Sequence, residues 1–95
     1  MLKRLFTSNT RVKLLTLFLT HPEEEFFIRE LTRKLNEQIN SIRRELDNLR
    51  KIGLLKTKTK NRKKFYTVNK DYMLFNELKA IVNKANSDKE SIVKH

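Results

Sequence analysis

The sequence contains no cysteine and no tryptophan, a single glycine, a single proline and two histidines in 95 residues. Without cysteine there is neither a disulfide framework nor a thiolate metal site, which fits a reducing compartment. One glycine rules out a glycine-rich phosphate loop. His21 stands beside the proline and His95 ends the sequence, so neither pairs with Ser8, Ser41, Ser87 or Ser91 in the arrangement a nucleophilic triad needs. Neither a catalytic residue nor a cofactor is expected. No apolar run approaches the roughly 20 residues of a membrane span. The start MLKRLF resembles the opening of a signal sequence, but TSNTRVK interrupts the hydrophobic stretch that should follow. A cytoplasmic protein is the expectation.

Acid is also in short supply. Eleven Asp and Glu face 22 Lys and Arg, for a net charge of +11. The excess is concentrated: between Arg29 and Lys70, fourteen bases meet four acids, a net of +10 in 42 residues. Such a patch favours a polyanionic partner, above all nucleic acid. The chain length suits one domain with a small core, to which a partner chain can contribute.

What the sequence does have is organised around Phe26 to Gly53. A short helical pattern (Ile28, Leu31, Leu35) is followed, after a break at Asn36, by a longer one (Ile39, Ile42, Leu46, Leu49, Ile52). Spacings of three and four predict two amphipathic helices joined by a sharp turn, a helix-turn-helix. In the second helix Asn40, Arg44, Asp47 and Lys51 gather opposite the apolar stripe, flanked by Arg43 and Asn48. That face carries side chains able to hydrogen-bond base edges and phosphates. Asn36 sits where the turn needs a left-handed residue, and Gly53 sits where a positive φ is expected after the second helix.

Before this motif, Leu2, Leu5 and Phe6 form a short apolar turn, and Ser8, Asn9 and Thr10 supply caps. A helix over 11–20 carries Val12, Leu14, Leu15, Leu17, Phe18 and Leu19, so it must be covered on more than one side. One cover is the helix-turn-helix; the other is most simply a second subunit, with the C-terminal helix as the alternative. His21 and Pro22 stop it. Glu23, Glu24 and Glu25 read as a solvated turn rather than a metal site, since adjacent carboxylates on one segment do not converge without other ligands. Phe26, Phe27 and Ile28 suit a short strand.

After Gly53 the period becomes two: Leu55, Thr57 and Thr59 alternate with lysines, and Lys64, Tyr66 and Val68 alternate with Phe65 and Thr67, which predicts a β-hairpin. Its arms and tip hold Lys56, Lys58, Lys60, Arg62, Lys63 and Lys64 without an acid. Lysine on an edge hairpin can simply oppose aggregation; six bases in nine positions argue for phosphate contact. A last helix over 72–85 carries Leu74, Leu78, Ile81, Val82 and Ala85 on one face. Residues 1–85 thus form the domain and 86–95 a polar, disordered tail. Asp88, Glu90 and His95 are too few to propose a metal site.

The fold class is mainly α with a small β-hairpin, an α+β arrangement in the order helix, strand, helix, turn, helix, hairpin, helix. The segments Leu5–Arg11, Ile28–Thr32, Asn40–Leu46, Leu49–Leu55 and Arg62–Val68 occur in the order that resembles winged helix-turn-helix DNA-binding proteins, and among them the small ArsR-like transcriptional regulators. The resemblance implies a homodimer with one recognition helix per subunit, 38–52, in the major groove of double-stranded DNA and a basic wing, 56–64, on the backbone or minor groove. Asn40, Ser41 and Arg44 then read bases. Arg43, Lys51, Lys58, Lys60, Arg62, Lys63 and Lys64 meet the backbone, and Asp47 steadies Arg43 or Arg44. Leu14, Phe18, Leu74, Leu78, Ile81 and Val82 are the expected dimer contacts. The cysteines with which many ArsR-like sensors bind metal are missing. The alternative is an adaptor or targeting module that binds a protein or RNA on the same fold; an adaptor would not need the basic wing and the basic helix face to coincide.

Overall fold

The computed structural model describes the backbone of residues 8–94 and the side chains of residues 8–84. The apolar turn expected at Leu2, Leu5 and Phe6 lies outside the described residues, as do His95 and the side chains of Asp88 and Glu90.

The first helix, α1 (Asn9–Thr20), begins where Ser8, in extended conformation, accepts the Arg11 N–H on its hydroxyl at 3.2 Å, which satisfies one of the orphan donors of a helix start. It ends before Pro22. Its apolar residues are covered from within the chain. Leu14 and Phe18 are 0% and 1% exposed, packed among the helix-turn-helix, the sheet and the last helix. This corrects their expected place in a dimer interface, because a side chain with no exposed surface has nothing to offer a partner. Val82, at 7%, is also interior.

Strand β1 (Phe26–Phe27) leads directly into α2 (Ile28–Leu35), and α3 (Ile39–Lys51) follows. Between the two helices Asn36 adopts φ 52 and ψ 53, and its N–H closes on the Thr32 carbonyl. The left-handed conformation reverses the chain without a glycine, at a position where asparagine is tolerated. At the far end Gly53, with φ 91, ends α3, and the Leu54 N–H returns to the Leu49 carbonyl at 3.0 Å. In α3 Ile42, Glu45, Leu46 and Leu49 are buried. The stripe is narrower than its sequence pattern, since Ile39 and Ile52 at its two ends are exposed.

The hairpin comprises β2 (Leu55–Lys60) and β3 (Lys63–Val68), paired from Leu55↔Val68 to Lys60↔Lys63. β3 lies in the middle of a three-stranded antiparallel sheet, with β1 on its other edge through Phe26↔Tyr66 and Phe27↔Phe65. One face turns Phe26, Leu55, Tyr66 and Val68 into the core. There Phe18 of α1 meets Phe26 edge-on, with ring centroids 5.4 Å apart. Asn69 fastens the end of the hairpin: its amide donates to the Gly53 carbonyl at 2.9 Å while its oxygen accepts the Asp71 N–H at 3.1 Å.

The last helix, α4 (Phe75–Lys94), begins three residues later than its apolar pattern suggests and continues through the segment expected to be a disordered tail. Tyr72 to Leu74 are in turns instead, closed by the Phe75 N–H on the Tyr72 carbonyl at 2.9 Å. α4 packs on α1, burying Phe75 and Val82. Met73 and Leu74 are left exposed.

Candidate nucleic-acid interface

The outer face of α3 is available because the inner face is fully engaged. Buried Ile42, Leu46 and Leu49 fix the rotation of the helix, and at about 100° per residue this turns Asn40, Arg43 and Arg44 outward. All three are exposed, and Ser41 is half-buried at the boundary. Glu45 reinforces the same orientation from inside. It is 4% exposed, and its carboxylate takes the Arg11 Nε–H at 2.8 Å. A buried carboxylate of this kind is tolerable only with such a partner.

The turn before α3 is tied to α1 as well. Glu37 accepts the Thr10 hydroxyl and the Lys13 ammonium, each at 2.7 Å, while Lys13 also donates to the Leu35 carbonyl at 3.0 Å. Lys13, and then Thr10, hold the Glu37 carboxyl below the usual carboxylate range.

Asp47 does not steady Arg43 or Arg44. Its carboxylate takes Arg50 at 2.8 Å and Lys51 at 3.1 Å, and these two cations, Arg50 first, lower its pKa. Acid N-terminal to base is the favoured order on a helix, so Asp47 turns towards the C-terminal end. Lys51, expected at the DNA backbone, is thus an ion-pair partner of Asp47. Arg43 and Arg44 make no ion pair among the described residues.

The hairpin brings its tip to the same side. Phe27, Ile28, Arg29, Arg43, Arg62, Lys63 and Lys64 line an open cleft of about 430 Å³ between the sheet, the start of α2 and the start of α3. Three expected backbone contacts of the hairpin, Arg62, Lys63 and Lys64, thus meet Arg43 across one concavity. Arg29 joins them; nothing in the spacing of α2 singled it out. None of the five cations faces an acid among the described residues. Lys63 rests instead over the Phe27 ring at 4.8 Å and Lys64 over Tyr66 at 5.6 Å. These contacts steady the stems and leave the charge unneutralised.

Lys58 and Lys60, on the other strand, are placed differently. Glu25 reaches across the outer face of the sheet and takes Lys60 at 2.5 Å and Lys58 at 3.1 Å. Lys60, then Lys58, hold the Glu25 carboxyl below its usual range, and Glu25 in turn raises Lys60. Glu23 pairs with Lys70, and Glu24 faces His21 at 3.1 Å. The acidic run is the exposed turn expected, and its carboxylates also pair with bases.

No family model matches this sequence, and no curated protein sequence matches it. Solved structures do. A transcriptional regulator, HlyU from Vibrio vulnificus, superposes with a TM-score of 0.67 at 23% identity, covering 90% of this chain and 81% of that one. The adhesin competence repressor AdcR from Streptococcus pyogenes superposes with a TM-score of 0.74 at 15% identity, covering 98% and 69%. The chain has the winged helix-turn-helix fold. Sso10a-2, a DNA-binding protein from Sulfolobus solfataricus, superposes with a TM-score of 0.61 at 18% identity, covering 92% and 86%. In winged-helix terms α2 and α3 are the helix-turn-helix, α3 stands at the position named the recognition helix, and β2–β3 is the wing. Among the described residues no helix is long and apolar enough to cross a membrane.

Proposed function

We propose that this protein is a sequence-specific regulator of transcription, ArsR-like in organisation, that binds double-stranded DNA as a homodimer. The observation that carries the reading is the coincidence of unpaired charge with the fold's two protruding elements. Arg43 on the recognition helix, Arg62, Lys63 and Lys64 on the wing, and Arg29 line one cationic cleft, and Arg44 is exposed next to Arg43 on the same helix. A duplex laid against it places Asn40, Ser41 and Arg44 at base edges in the major groove, asparagine suiting adenine and arginine guanine. Arg29, Arg43 and the wing tip then take phosphates, which position the helix without reading sequence. For the dimer, exposed Ile52, Met73 and Leu74 supply the apolar surface that Leu14 and Phe18 do not.

Selection of bound duplexes from a random pool tests the whole reading. The expected product is an inverted repeat whose half-sites are about one helical turn, ~10 base pairs, apart. Recovery of a single unrepeated half-site would remove the dimer, and no enrichment at any salt concentration would remove the regulator.

A further inference from the structure

The wing carries lysines on both strands, yet only one strand is answered by acid. Glu25 directly precedes β1, and alternation along the strands puts Glu25 and Phe27 on the outer face of the sheet together with Phe65, Lys58 and Lys60. Its two carboxylate oxygens are divided between the two lysines, Oε1 to Lys60 at 2.5 Å and Oε2 to Lys58 at 3.1 Å. Two anionic oxygens held by two ammonium groups is also how a backbone phosphodiester would be received at this place. Lys60 is further held near the Phe65 ring, 5.8 Å from its centroid. On β3 and the turn, Arg62, Lys63 and Lys64 have no such partner among the described residues.

We propose that Glu25 is a built-in competitor for phosphate, which occupies Lys58 and Lys60 and withholds these two lysines of β2 from polyanions. A tethered anion acts at an effective concentration of about millimolar or more. A duplex of arbitrary sequence, held by charge alone, must displace it to gain those two contacts. A duplex seated on the recognition helix and the Arg29–Arg43–Arg62 cleft has no need of them. Glu25 therefore sharpens discrimination by lowering the affinity for unselected DNA. This consequence rests on the DNA-binding reading above, whereas the competition with phosphate does not.

The test compares Glu25→Gln, which removes the charge and keeps the shape, with Glu77→Gln. Glu77 is exposed on α4 and outside the ion pairs of the described residues, so the two variants change net charge equally. Affinity for a random-sequence duplex is measured by fluorescence anisotropy across a potassium chloride series, and retention on phosphocellulose is measured in parallel. Glu25→Gln should bind the duplex roughly 3- to 10-fold more tightly, with a log–log salt slope steeper by about 1 to 2, and should elute from phosphocellulose at higher salt than Glu77→Gln. Adding Lys58→Gln and Lys60→Gln to Glu25→Gln should abolish the gain. Glu25→Asp, with the charge kept and the reach shortened, should fall between wild type and Glu25→Gln. The competitor is overturned if Glu25→Gln is held no more tightly than Glu77→Gln, or if the gain survives loss of both lysines. Should wild type bind no duplex at all, the regulator reading fails, and the phosphocellulose comparison still decides the role of Glu25.

Discussion

The seam between α1 and the helix-turn-helix and the outer surface of the recognition helix differ in what becomes of their charges. In the seam each cation meets an anion: Arg11 is held by Glu45 and Lys13 by Glu37. On the outer surface Arg43, Arg44 and the wing tip meet none among the described residues. With half as many acids as bases in the chain, pairing could not be complete, but it is not scattered. Acids meet bases in that seam and across the outer face of the sheet, whereas the cleft between the start of α3 and the tip of the hairpin keeps its cations uncompensated among the described residues. On the proposed function, fold and recognition would be separable on a single helix, with Glu45 on the buried side of α3 and Arg44 on the exposed side.

Substitutions on the two sides should break this separation if it is wrong. The largest effect is expected inside. Phe18→Ala removes a fully buried ring that bridges α1 and β1 and should cost about 3 to 5 kcal/mol in urea unfolding. If the loss is under about 1 kcal/mol, Phe18 is not interior and its expected place at a subunit contact returns. On the outer side, Arg44→Ala should cost ~1 to 3 kcal/mol of affinity for the selected duplex and relax base preference at one position per half-site, with the unfolding midpoint unchanged. Equal losses on selected and random duplexes would make Arg44 mere charge; Arg62→Ala with Lys63→Ala should behave in that uniform way.

The smallest effect is expected from acid. Glu25, Glu37 and Asp47 are held below the ordinary carboxylate values of 4.5, 4.5 and 3.8 by their cationic partners. Lowered values in the folded chain mean that the unfolded chain takes up protons first as pH falls. Their contribution is thus complete above the ordinary values and is lost as the pH falls through the depressed ones. Melting temperatures should be flat from pH 7 to about 5 and then decline modestly, with a shallower decline in high salt because these are surface pairs. A melting temperature that rises between pH 5 and 3 would contradict the pairing.

Backbone signals were the most legible part of the sequence. Ser8, Asn36 and Gly53 each announce a local conformation that few other residues suit, and each adopts it. The alternation after Gly53 likewise announced the hairpin, though only Leu55, Tyr66 and Val68 of it are buried. What stayed hidden were partnerships between distant residues. Arg11 and Glu45 are 34 positions apart, and Lys60 and Glu25 are 35 apart, so no period or spacing connects them. Asp47 was ambiguous for another reason. Residues three and four away in both directions are basic, and only the preference for acid before base distinguishes Arg50 and Lys51 from Arg43 and Arg44. The cover over α1, expected from a second subunit, comes from α4 of the same chain, because an apolar helix does not say whether its own chain or another supplies its cover.

The turn of the wing carries a compromise between folding and use. Asn61 and Arg62 both have positive φ, 49 and 67, as a two-residue hairpin turn with the right twist requires, and glycine is the residue that most easily meets the second position. A guanidinium stands there instead, in a conformation that costs an ordinary side chain about 1 kcal/mol or more. Arg62→Gly should therefore raise the melting temperature while weakening the hold on phosphate. If so, the apex residue answers to what the hairpin touches, and the chain tolerates a less stable turn to keep it.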